Sequence, residues 1–195
     1  MIHIINGLKS SFFWFILISI ISLPLLFLGM NDIIIQLGVI PRDISDLWSV
    51  FTSPFVHGNI GHYISNMSAL VVLLIIAYMS YRRKFMHMII IGLIVLSGLI
   101  TWVIGREASH LGASSLIFGL ISFLIFAGIF SRKIINIIVS VGVAFIYGGT
   151  VLIGILPTNS HVSWEGHLGG FIAGILLAYL NKKYLMRKKD EQEFV

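Results

Sequence analysis

The sequence predicts an all-α membrane protein, a six-transmembrane-helix bundle in a single domain, and three observations carry that expectation. The 195-residue chain is 57% hydrophobic and only 11% charged, where a soluble domain carries about 25% charged residues. Charge is absent from long runs: Ser10 to Asn31, His57 to Tyr81, Phe85 to Gly105, Leu111 to Ser131 and Ile134 to Ser160, with a shorter sixth from Gly166 to Asn181. Between the runs, basic residues alternate from dense to sparse, as loops on opposite faces of a membrane do.

A span needs about 20 predominantly apolar residues. Five runs meet that length, and the sixth meets it if Val162 to Glu165 lie at the membrane surface. The predicted helices are about 11–30, 58–80, 86–104, 114–131, 134–156 and 163–181, with an outer loop 31–57 and a tail 182–195. The first is too long for a signal-peptide core and lacks a small-x-small cleavage site, so it reads as a helix. Pro24 within it predicts a kink. The loop that follows mixes Ile33, Ile34, Ile35, Leu37, Trp48, Phe51 and Phe55 with Asp32, Asp43 and Asp46. That composition predicts a segment resting partly in the interface, where Trp is favoured. Arg82-Arg83-Lys84 joins the second and third spans, and Arg132-Lys133 the fourth and fifth. Connections this short make tight antiparallel neighbours. The fifth span is rich in glycine (Gly142, Gly148, Gly149, Gly154), and the sixth opens on Gly166-His167.

Eleven of the thirteen Lys and Arg residues fall on one side of this arrangement; only Arg42 and Arg106 fall on the other. The positive-inside rule makes the crowded side cytoplasmic, with both termini on it. The expected location is a bacterial cytoplasmic membrane, with the lipid bilayer as solvent. The net charge of +5 reflects the same bias. No basic stripe with interleaved aromatics exists, so nucleic acid is not an expected partner. With no cysteine there is no disulfide framework, thiol nucleophile or Cys-based metal site. There is no His-Glu-x-x-His and no Asp within a span, which excludes that zinc type and an aspartyl intramembrane protease. No metal and no cofactor are expected. The two halves do not match as an inverted-repeat transporter would require.

Polar groups at membrane depth are costly and usually functional, and two stand out. Ser114, in Gly112-Ala113-Ser114-Ser115, opens the fourth span. There the helix dipole and free amides favour developing negative charge. His167 opens the sixth. Gly166, Gly170 and Gly174 share a small-xxx-small face, and Gly119 offers a partner surface on the fourth span. Packing these two helices would bring a potential base toward a potential nucleophile. His62 and Asn66 are four apart, on one face of the second span, and read either as interhelical polar glue or as donors to a site. His57 reads as structural, anchoring the outer loop. Glu165 is two residues before His167 and on a different helix face, so a Ser-His dyad is expected without a third acid. Glu107 stays open for that place.

These residues resemble the rhomboid intramembrane serine proteases. That family carries His-x-x-x-Asn on its second helix, Gly-x-Ser opening the fourth, and a His with downstream glycines on the sixth. This chain has His62-Tyr63-Ile64-Ser65-Asn66, Gly112-Ala113-Ser114, and His167-Leu168-Gly169-Gly170 with Gly174, in that order. It also has His57 upstream, as many members do. The resemblance implies that Ser114 is the nucleophile and His167 the general base, with His62, Asn66 and the Ser114 amide forming an oxyanion site. It implies single-span membrane proteins as substrates, and a gate between the second and fifth helices. Three positions depart from the family pattern. Ser115 stands where Gly commonly follows the nucleophile, which leaves open which hydroxyl attacks. Phe118 replaces the Tyr that often stacks on the histidine. Trp48-Ser49 replaces a Trp-Arg pair, removing an anchor of the outer loop. Two other readings stay open: an inactive rhomboid-like membrane chaperone, and a transporter using its histidines.

Overall fold

The computed structural model describes residues 2–157 and 162–187. Lys188 and Lys189, counted above among the cytoplasmic cations, lie outside them. Among the described residues the structure is helical with no strand, and two loops meet in a single antiparallel bridge, Val39 to His110. The long helices are α1 (Ile2–Phe27), α4 (Ile60–Ser80), α5 (Arg83–Ile104), α6 (Ser114–Ser131), α7 (Ile134–Gly154) and α8 (Trp164–Leu180). Short helices α2 (Asn31–Gln36) and α3 (Ser49–Thr52) break the long loop, and α9 (Lys182–Met186) follows α8. The chain is an all-α, multi-pass membrane bundle.

Five of these helices, α1 and α4 to α7, are long and apolar enough to cross a membrane. α8 has 17 residues, a rise of about 25 Å against a hydrocarbon core of about 30 Å. It begins on Trp164, a residue favoured at the interface, and α9 follows it at the other end. α1 starts at Ile2, earlier than the charge-free run implied, because Gly7 lays its backbone against Tyr78 of α4 and packing continues the helix. It ends before Gly29, which has φ +65°.

α6 lies in the middle, in contact with α4, α5, α7 and α8. Its sequence is apolar on every face, the signature of a buried helix. Ser122 and Ser131 return their hydroxyls to the carbonyls of Gly119 (3.1 Å) and Gly128 (2.8 Å), so neither of these two hydroxyls is left bare in the core. α7 lies at the rim and exposes most of its apolar surface, Phe145 and Ile146 included.

The long loop is held by several polar contacts. Asp46 accepts from the Ile40 amide (3.0 Å) and the Ser49 hydroxyl (2.8 Å), and Thr52 donates to the Leu37 carbonyl (2.8 Å). Arg42, at φ +62°, donates to the Gly105 carbonyl at 2.6 Å. Arg42 thus ties the loop to the end of α5. Trp48, Phe51 and Ile44 remain exposed, as suits a segment in the membrane interface.

Candidate active site

The turn ahead of α6 is built around Gly112. Its φ is +110°, and a Cβ there would lie 2.6 Å from His62 Cε1 and 2.7 Å from its Nε2. Only glycine fits both constraints. The Gly112 amide donates to Ser53 O at 2.9 Å. The Ala113 amide donates to His57 Nε2 at 3.4 Å, so His57 carries its proton on Nδ1 and donates it to Ser22 Oγ at 2.7 Å. His57 therefore clamps α1 to the turn that presents Ser114. Burial pushes its imidazole down to about 3, with His62 adding to the shift, which keeps the clamp neutral. No side chain caps α6, so its first amides stay open beside Ser114.

His167 sits in the first turn of α8, where Ser163 caps the helix by accepting from the Gly166 amide at 3.1 Å. His167 Nδ1 lies 2.9 Å from Gly154 O. A carbonyl only accepts, so Nδ1 carries the proton and Nε2 of the neutral ring keeps a free lone pair. Phe118 stacks on the imidazole with centroids 4.1 Å apart and planes 7° off parallel. The ring is thus held by one hydrogen bond and one aromatic face.

Glycines set the approach of α6 and α8. A Cβ on Gly170 would run into the carbonyl oxygen of Ser115, and one on Gly174 into the Gly119 carbonyl and Ser122 hydroxyl. Gly119 in turn would place a Cβ 3.2 Å from Gly170 O. Gly166 does not share this contact. Its Cβ would meet Ser163 Oγ at 2.7 Å, within its own helix start, with Thr101 of α5 next at 3.9 Å. The spacing of four residues gives a face, but at Gly166 that face meets its own helix start and α5 rather than α6.

Ser114, His167, His62, Asn66 and Phe118 line one cavity of about 760 Å³, together with residues of the 106–111 loop and Thr150 of α7. Asn66 is buried, and its amide nitrogen has no acceptor. A buried donor without a partner costs free energy, so this amide is poised for an acceptor that a ligand would bring. Ser115 does not line this cavity; it borders a separate space of about 20 Å³ toward α5. Glu107 is exposed and does not line the cavity either.

One network was not foreseen from the sequence. Buried Glu165 pairs with Arg106 Nη1 at 3.5 Å and accepts from the Arg106 amide at 3.3 Å, while Arg106 Nη2 donates to Val162 O at 2.8 Å. His110 links Ser163 Oγ (2.6 Å) with the Arg106 carbonyl (3.0 Å). Burial pushes the His110 imidazole below its ordinary value, against the opposing pull of the Arg106 carbonyl and Glu165. The network fixes the loop before Ser114 to the start of the helix that carries His167. Its only sequence signal was that Arg106 and Glu165 are rare charges beside otherwise uncharged runs. Among the described residues no three His, Asp or Glu side chains gather as metal ligands.

Comparison with known proteins adds a family. The Rhomboid domain family matches residues 44–184. Uncharacterized proteins of Mycobacterium bovis and Mycobacterium tuberculosis are 38% identical over 152 residues. That match covers 73% of this chain and 62% of theirs, so the chain spans less than two thirds of the curated relatives it matches. RHOMBOID-like protein 1 of Arabidopsis thaliana is 28% identical over 144 residues, which cover 69% of this chain and 34% of that protein.

Proposed function

The chain belongs to the rhomboid family, and we propose that it is an intramembrane serine endopeptidase working through a Ser114–His167 dyad. One observation carries the reading. A single cavity gathers the Ser114 hydroxyl, an imidazole whose Nε2 is free to accept a proton, and an unpartnered amide donor. Polar glue between helices would have satisfied that donor.

In the proposed reaction, Ser114 Oγ attacks a peptide carbonyl as its proton passes to His167 Nε2. The new oxyanion takes hydrogen bonds from Asn66 Nδ2, His62 and the Ser114 amide. The C–N bond breaks, and Nε2 returns the proton to the leaving amine. Water then hydrolyses the acyl-serine by the same proton path. The Gly154 carbonyl holds the tautomer that this sequence requires and stabilises the imidazolium that forms. No carboxylate is needed for that orientation, and Glu165 is engaged with Arg106.

The substrates are transmembrane segments of single-span membrane proteins. They reach the cavity from the bilayer between α4 and α7, and water enters from the loop-rich end. Both termini are cytoplasmic, in a bacterial cytoplasmic membrane.

The test is labelling by a serine-reactive fluorophosphonate together with cleavage of a model transmembrane substrate. Ser114→Ala and His167→Ala are expected to lose labelling and to abolish cleavage, a loss of about 10⁶-fold, while Ser115→Ala keeps both. A labelled, active Ser114→Ala variant would assign the attack to another hydroxyl. A folded wild-type protein that neither labels nor cleaves would make the chain a non-catalytic member of its family.

A further inference from the structure

A second polar site lies at the opposite end of the bundle from Ser114. Lys9, Ser10 and Phe13 of α1 and Arg83 and His87 of α5 line a cavity of about 290 Å³. Lys9 and Arg83 have no carboxylate partner among the described residues. Every described carboxylate (Asp32, Asp43, Asp46, Glu107, Glu165) lies at the loop-rich end, a bundle length away. Two cations thus line one cavity with no anion beside them among the described residues.

His87 adds an oriented donor. Its Nδ1 accepts from the Trp14 indole N–H at 3.2 Å and lies 2.9 Å from the Tyr78 hydroxyl, which itself takes the Trp14 N–H at 2.9 Å. An indole N–H only donates, so Nδ1 is the accepting nitrogen and Nε2 carries the proton. No protein acceptor meets Nε2–H among the described residues. The Trp14–Tyr78–His87 cluster is therefore a scaffold that holds a donor beside Lys9 and Arg83.

The geometry points to a binding site for the phosphate of an anionic lipid headgroup between α1 and α5. A basic pocket between transmembrane helices is suited to such a group, and Trp and Tyr belong at headgroup depth. A lipid is favoured over a soluble phosphate by what adjoins the pocket. Phe13 forms one wall, and Ile16 and Ile20 continue the same face of α1, all three exposed. α1 and α5 touch only lightly, so an acyl chain can lie along that face while the phosphate meets Lys9, Arg83 and His87.

The experiment compares retention of phosphatidylglycerol and phosphatidylcholine by native mass spectrometry of the full chain in mixed micelles. The wild type is expected to retain phosphatidylglycerol selectively. Lys9→Ala/Arg83→Ala should weaken that retention about 30-fold, from the loss of two interfacial cations. Lys84→Ala/Lys183→Ala, which removes the same charge at the same end outside the pocket, should not, and the charge-keeping pair Lys9→Arg/Arg83→Lys should restore most of it. Unfolding temperatures in phosphatidylcholine micelles establish that each variant is folded. Equal losses in the two alanine pairs would reduce the effect to bulk charge attraction and overturn the site. Inorganic phosphate protecting the protein as well as phosphatidylglycerol does would overturn the lipid assignment in favour of a soluble phosphate.

Discussion

The seam between α6 and α8 and the gap between α4 and α7 border the same cavity, and they are built in opposite ways. Along the seam, Gly119, Gly170 and Gly174 remove every Cβ that would separate the two backbones. On the α7 side, Gly148 and Gly149 have nothing within 4 Å of where a Cβ would stand. In its spanning window α6 is 67% buried and α7 only 17%. Glycine therefore means close approach in one region and empty space in the other. Protein interiors resist deformation because they are close-packed, so the Ser114–His167 relationship rests on the stiff region. In the proposed function, the loose region is where a segment from the bilayer enters. α7 is nevertheless pinned at its start, where Ser140 donates to Ile125 O at 2.6 Å and Gly128 lies against the Asn136 backbone. At its far end, Gly154 O holds His167.

The largest expected effect comes from loosening the seam. Gly170→Ala puts a methyl against backbone that cannot rotate away. Overpacking of this kind costs about 1–3 kcal/mol, and a shift of about 1 Å at a reacting group can cost about 100-fold in rate. Gly170→Ala is expected to lower both the unfolding temperature and cleavage, the latter by about 100-fold. Wild-type cleavage by this variant would show that the seam does not set the Ser–His geometry.

Next come the donors on the gap side of the cavity. Losing one oxyanion donor costs about 100- to 1,000-fold where few others remain. Here two donors persist after each change, so His62→Ala and Asn66→Ala are each expected to slow cleavage by about 10- to 100-fold. Stability should barely move for Asn66→Ala, because its amide nitrogen has no partner to lose. Parallel measurement of unfolding temperature and rate decides the matter: loss of activity only through unfolding would return both residues to the role of helix glue.

A third test uses pH on the clamp behind the seam. His57 is held neutral by burial down to about 3, while the unfolded chain takes up its proton near pH 6.5. Between those values the unfolded state binds more protons, so stability falls as pH drops from about 6.5 toward 3. Burial of His110 acts in the same direction. Unfolding temperature across that range should decline for the wild type and decline less steeply for His57→Gln. Equal slopes would remove His57 as the source.

Much of this comparison was readable in the sequence, and the rest was not for identifiable reasons. Charge-free runs locate long helices because charge is costly in hydrocarbon, and the bundle follows from them. Ser114 was legible as the opening of the fourth span, two residues after Gly112. The partner of Gly166 was not, because helical spacing gives a face and not the neighbour that face meets. Arg106 and Glu165 are 59 residues apart, and no periodicity links them. Arg42 could not be read as an anchor of the long loop, since its role depends on a left-handed turn that brings it to the end of α5. The start of α1 depended on Tyr78 lying beside Gly7, a contact made only after folding.

The smallest expected effect sharpens the contrast from the loose side. Glycine in a helix costs roughly 0.5–1 kcal/mol relative to alanine, and at positions 148 and 149 an added methyl meets nothing. Gly148→Ala and Gly149→Ala are therefore expected to raise stability by about that amount each. If α7 moves as a rigid rod about its anchored start near Ser140, stiffening its middle leaves cleavage within about twofold, because the seam and Gly154 are untouched. If α7 instead bends at these glycines to admit substrate, the same variants become more stable and about tenfold slower, as stabilised but less flexible enzymes are. The paired measurement separates a hinge at the base of α7 from a hinge in its middle. Only the first keeps the Gly154–His167 contact dependent on where the whole helix stands.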